Sequence, residues 1–197
     1  MYFLPQTVYW FQLVAGHSSG AILVALSKQK LYIMATNSNT STMEKKRTIT
    51  LKRIFNLPLN TVWKAWSEPA SFKKWWGPKE YTCPDCSIDF KIDGTYLASM
   101  QDASGKKIWS TGKYQEIVPK KKIVYTDSFA DSHGNIVPAS YYSMPDMDMK
   151  TLVTIELEEK DGKTNMILHH TGIPDEMGDD CMKGWQSSFD KMESGLQ

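Results

Sequence analysis

The chain has 197 residues, enough for one ordinary domain with a sizeable core and some surplus. Its 41% hydrophobic and 23% charged residues exclude a disordered chain, and a net charge of +1 makes neither nucleic acid nor a membrane an implied partner. Three cysteines, Cys83, Cys86 and Cys181, are too few and too odd in number for a secreted disulfide framework and read as reduced thiols of a cytoplasmic protein.

Residues 1–26 contain no Lys, Arg, Asp or Glu, and Ala35-Thr-Asn-Ser-Asn-Thr-Ser-Thr42 forms a polar linker with nothing to bury. Three readings are open for residues 1–42. A signal peptide wants a basic start and an unbroken apolar stretch, but Gly16-His-Ser-Ser-Gly20 splits this one. A transmembrane helix needs roughly 20 predominantly apolar residues, and Pro5, Gln6 and Gln12 count against it. The third reading, which we adopt as the expectation, is an N-terminal extension outside the fold, with translation from upstream of a start at Met34 or Met43 as one origin. The domain is then expected over 43–197.

From there the pattern is regular. Residues 48–55 read as a strand. Leu57-Pro58 breaks it, and Asn60 is the expected N-cap of a short helix over 61–66, with Val62, Trp63 and Trp66 at helical spacing. Pro69 opens a second short helix over 70–75, stopped by Gly77-Pro78. Strands follow over 80–90, 95–102, 108–118, 122–130, 150–158 and 164–171, separated by turn signals such as Ile92-Asp-Gly94, Ala103-Ser-Gly-Lys106 and Lys160-Asp-Gly-Lys163. Residues 175–196 are helical, with Met182, Trp185, Phe189, Met192 and Leu196 three or four apart. The expected fold class is α+β. A curved antiparallel sheet wraps around the long C-terminal helix, with a pocket wherever side chains leave the space unfilled.

In this order the elements resemble the helix-grip fold of the START-like, or SRPBCC (Bet v-like), superfamily. Val62-Trp-Lys-Ala-Trp66, Ser67-Glu-Pro69 and Trp75-Trp-Gly-Pro78 resemble the opening signature of the activator of Hsp-90 ATPase homologue-like (AHSA) family. Ile88-Asp89-Phe90, Gly112-Lys-Tyr-Gln-Glu-Ile117 with Pro119, and Gly184-Trp185 extend the match. Two stretches depart from the family pattern. Lys91-Ile-Asp-Gly94 stands where the family usually has Arg-Pro-Gly-Gly, and the loop over 133–149 is long and carries Tyr141, Tyr142, Met144, Met147 and Met149. The resemblance implies a fold with a cavity rather than a reaction. It points to binding of hydrophobic molecules, a stress-related role or a co-chaperone-like role.

The candidate cavity wall is Trp76, Tyr96, Trp109, Tyr125, Phe129, His169, Trp185 and Phe189, and the expected occupant is a small apolar ligand. A protein-interaction module acting on a chaperone ATPase is the second reading, and a cavity enzyme (a cyclase or hydrolase) the third. Neither a catalytic set, a cofactor nor a metal is expected. Cys83-Pro-Asp-Cys86 has no second ligand pair for zinc, and as a redox pair it lacks the usual helix N-terminus, so it reads as structural. His169 and His170 point to opposite faces of a strand, so they do not chelate one ion together, and one of them is left to face a cavity. Asp89 is expected to cap its turn and Glu116 to face solvent. Lys120-Lys-Lys122 reads as a solvated hairpin tip. Monomer and homodimer are equally compatible with the pattern.

Overall fold

The computed structural model describes residues 45–144 and 151–196. The expectations for 1–42, and those for Met147 and Met149, lie outside the described residues.

Strand β1 (Lys46–Phe55) leads into α1 (Leu59–Ser67) and α2 (Pro69–Phe72). Five strands follow in a meander: β2 (Cys86–Ile88), β3 (Thr95–Gln101), β4 (Lys107–Val118), β5 (Lys122–Ala130) and β6 (Thr151–Lys160). Strand β7 (Lys163–Pro174) returns, and α3 (Gly178–Gly195) ends the chain. The seven strands of the described residues form one antiparallel sheet in the order β1-β7-β6-β5-β4-β3-β2. The fold is the expected curved sheet with two short helices after the first strand and a long last helix.

Local chemistry accounts for most boundaries. Asp161 and Gly162 both take positive φ, as the tight turn between β6 and β7 requires. The N-cap of α1 is Pro58 rather than Asn60. Its carbonyl takes the amides of Thr61 and Val62, and no side chain caps the helix. The strand expected over 80–90 shrinks to Cys86–Ile88, because Pro84 has no amide to pair and only Thr82 makes a bridge upstream, to Gln101. Asp89 holds its turn through its backbone carbonyl, which accepts from the Lys91 amide, while its carboxylate pairs with Lys91 Nζ at 2.9 Å.

Alternation sets the two faces of the sheet. On β6, Val153, Ile155 and Leu157 are buried while Glu156 and Glu158 are exposed. On β7, Met166, Leu168 and His170 share the inner face. The α3 stripe of Trp185, Phe189 and Met192 packs onto this face, with Phe189 edge-on to Phe55 at 5.8 Å. Ionic contacts then clamp the helix. Arg53 reaches Glu193 at 2.7 Å and Asp190 at 2.9 Å, and Arg47 reaches Asp179 at 2.7 Å. Lys191 Nζ donates to the carbonyls of Trp76, Gly77, Pro78 and Tyr81, tying α3 to the loop after α2. Among the described residues no helix is long and apolar enough to cross a membrane.

Candidate functional site

The interior between sheet and helices is dominated by aromatic rings. Trp76 stacks on Phe72 at 4.7 Å and meets Tyr96 and Trp185 edge-on. Tyr125 lies edge-on to Tyr96 at 5.5 Å, and Phe129 edge-on to Tyr142 at 5.8 Å. These contacts place six of the eight expected wall residues inside: Trp76, Tyr96, Tyr125, Phe129, Trp185 and Phe189 are all buried.

The other two lie elsewhere. Trp109 sits between Ile108 and Ser110, which point inward, so the pleat sends its indole outward, where Lys107 Nζ lies 5.9 Å from its ring. His169 is likewise on the outer face, with Nδ1 2.9 Å from Thr50 Oγ1 on the neighbouring strand. The inward histidine is His170, which shares the phase of Met166 and Leu168.

His170 anchors a buried polar row that sequence reasoning missed. The Trp185 indole N–H donates to His170 Nδ1 at 3.1 Å, which leaves the ring proton on Nε2 to donate to Thr151 Oγ1 at 2.8 Å. Thr151 in turn donates to the Asp127 carbonyl at 2.9 Å, and Tyr96 donates its hydroxyl to Asp127 Oδ1 at 2.5 Å. The Cys181 thiol lies 3.6 Å from His170 Nδ1. Burial pushes His170 down to about 3, so it is neutral near pH 7, and its 3.9 Å approach to Asp127 Oδ2 is no ion pair there. Burial also pushes Asp127 up to about 6, against the opposing effect of the Tyr96 hydrogen bond. The row therefore offers a carboxyl that titrates close to neutrality. Its imidazole, with a partner at each nitrogen, is poorly placed to shuttle protons. Among the described residues no three His, Cys, Asp or Glu side chains group as metal ligands.

Beside this row is a small gap lined by Trp66, Phe72, Tyr96, Tyr114, Ile123 and Tyr125. It has room for about one water molecule. Its walls come from α1, α2 and β3–β5, and none from α3. Two of its lining groups, the Tyr125 hydroxyl and the Trp66 indole N–H, are buried without a hydrogen-bond partner, as is the nearby Trp76 indole N–H. A signal for Asp127 was present in the sequence: it occupies the inward phase of β5 with Tyr125 and Phe129. Read as an isolated residue, it gave no hint of that position.

Solved structures of similar shape cover about three quarters of this chain and nearly all of their own. A protein from Chromobacterium violaceum is 27% identical with a TM-score of 0.61, and covers 76% of this chain and 96% of its own. The AHSA1 protein from Silicibacter pomeroyi is 22% identical with a TM-score of 0.61, covering 76% and 97%. A Nitrosomonas europaea protein is 23% identical with a TM-score of 0.61, covering 76% and 93%. No curated protein matches the chain. Residues 56–197, from the end of β1 through α3, match the family described as "Activator of Hsp90 ATPase homolog 1-like protein", and the chain belongs to that family.

Proposed function

We propose that the domain, taken as residues 43–197, binds a small, largely apolar molecule carrying an acceptor oxygen, in the aromatic interior beneath α1 and α2. The observation that carries this reading is the set of unpartnered polar groups, Tyr125 hydroxyl and the Trp66 and Trp76 indole N–H, in and beside an apolar gap. A buried donor without a partner costs about 1–3 kcal/mol. A ligand carbonyl or hydroxyl set among these groups supplies them with an acceptor. The rings around it supply apolar surface worth roughly 25 cal/mol per Å² before the costs of binding. Because the gap holds about one water, binding requires the ring walls to part.

The test is a panel of apolar molecules matched in size, with and without an acceptor oxygen, read by Trp fluorescence and melting temperature, together with native mass spectrometry of the purified protein. The expected result is a response to the oxygen-bearing members and a weaker one in Trp66→Phe. A flat response across the panel, with only the bare mass retained, overturns the reading.

A second reading, a co-chaperone-like module that regulates a chaperone ATPase, is favoured by the smallness of the same gap and by the family's description. It predicts that the purified chain changes the ATPase rate of an Hsp90-type chaperone. An unchanged rate across saturating concentrations removes it.

A further inference from the structure

The Cys83-Pro-Asp-Cys86 segment is a different feature, at the other end of the sheet. It leads into β2, the last strand in the sheet order, so it sits at an edge rather than inside the ladder. Both cysteines are free thiols, Cys83 buried and Cys86 partly exposed, separated by two residues in the chain and near enough to influence each other's ionisation. The Cys83 thiol also lies 3.4 Å from the Asp85 carbonyl.

The charges around the pair are arranged asymmetrically. Lys73, just beyond α2, donates from Nζ to the Pro84 carbonyl at 2.7 Å, which places an ammonium over the two-residue link between the thiols. The one carboxylate within that link, Asp85, is already engaged by Ser99 Oγ at 2.9 Å and Lys107 Nζ at 2.8 Å. The nearest negative charge is thus neutralised while a positive one faces the thiols, the setting in which a Cys-x-x-Cys pair becomes reactive.

We infer that Cys83 and Cys86 form a reversible redox site, with Cys86 as the attacking thiol and Cys83 as the resolving one, and that its co-reactant is a low-molecular-weight disulfide of the glutathione type. Cys86 is the accessible member. The hydrogen bond from Cys83 is the largest influence holding its pKa below the ordinary thiol value, and that of Cys83 is correspondingly raised. The Cys86 thiolate attacks one sulfur of the small disulfide. The S–S bond of that molecule breaks, one thiolate leaves, and a mixed disulfide remains on Cys86. With Cys86 capped, its hydrogen bond with Cys83, the largest influence raising the Cys83 value, is lost, and burial alone still opposes ionisation of that thiol. Cys83 then gives up its proton and attacks the Cys86 sulfur, expelling the second small thiolate. Two protein thiols lose two electrons in all, the small disulfide becomes two thiols, and the two protein protons end on them.

The test uses the full reduced chain equilibrated with glutathione and its disulfide at a series of ratios, quenched with acid, alkylated and mapped by mass spectrometry. The expected product is a peptide in which Cys83 and Cys86 are joined, two hydrogens lighter and unalkylated, reopened by dithiothreitol, with Cys181 still reduced. In Cys83→Ser the mixed disulfide on Cys86 should accumulate, and in Cys86→Ser the Cys83 thiol should stay unmodified. The inference is overturned if the wild-type pair remains fully alkylatable at the most oxidising ratio. It is also overturned if the wild type stops at a stable glutathione adduct, or if Cys181 is the cysteine that pairs.

Discussion

Asp127→Asn should stabilise the fold at neutral and alkaline pH and leave it unchanged near pH 4. The carboxyl rises from an ordinary 3.8 to about 6 because burial disfavours its charge. Between those values the folded chain holds a proton that the unfolded chain has released, so stability falls as pH rises through the window and stays reduced above it. A difference of about two pH units at 1.36 kcal/mol each gives about 3 kcal/mol as an upper bound, since the carboxylate keeps 19% of its surface exposed. Asparagine still accepts from the Tyr96 hydroxyl, so the charge is the main thing lost. The wild-type curve alone does not isolate this effect. His170, held at about 3 against an ordinary 6.5, works in the opposite sense, removing stability as pH falls from 6.5 toward 3. The assay is therefore the difference between variant and wild type in urea midpoint and melting temperature at pH 4, 5, 6, 7 and 8. The offset should be near zero at the acid end and reach about 2–3 kcal/mol by pH 7 to 8. A variant no more stable than wild type at pH 8, or an offset independent of pH, would refute the buried-charge argument.

Gly112→Ala should cost about 3 kcal/mol or more by urea denaturation, because a Cβ there would stand 1.6 Å from the Thr126 carbonyl oxygen and 2.8 Å from the Tyr96 ring. Lys191→Met keeps the apolar stem but withdraws the donor from four carbonyls. It should lower stability by about 2 kcal/mol and speed amide exchange over residues 76–81, while equal exchange in both proteins would show the tie to be idle. When a ligand from the fluorescence panel binds, amide exchange should change over residues 59–76 more than over 182–192. The reverse pattern would put the opening at α3 instead.

The architecture was readable from the sequence because its signals repeat along the chain. Strict alternation in β6, turn dipeptides such as Asp161-Gly162, and the three-and-four spacing of Trp185, Phe189 and Met192 each specify an element several times over. Single residues were less legible, for want of phase. Trp109 and His169 carry the right chemistry one position out of register, and one step on a strand moves a side chain to the opposite face. Neighbouring hydrophobic residues supply the missing phase: Leu168, two positions away, assigns His170 inward, and Ile108, one position away, assigns Trp109 outward.

The family-like Gly112-Lys-Tyr-Gln-Glu-Ile117 stretch gains a physical reason that spacing alone did not offer. Gly112 lets the Thr126 carbonyl and the Tyr96 ring close over its Cα. Tyr96 on β3 is the register partner of Gly112, and that closeness lets its hydroxyl reach across β4 to Asp127 on β5. The pocket was expected at α3 because the α3 stripe was the visible apolar feature. In the fold that stripe is already used: the Trp185 indole is held by His170, Phe189 packs on Phe55, and Arg53 and Lys191 fix the helix at its far end. Space is left under α1 and the four-residue α2, which are much shorter than α3. A short helix over a partly satisfied polar gap moves at lower cost than a long helix clamped by ions, so the opening that the proposed binding requires is expected under α1 and α2, beside Tyr125 and Trp66.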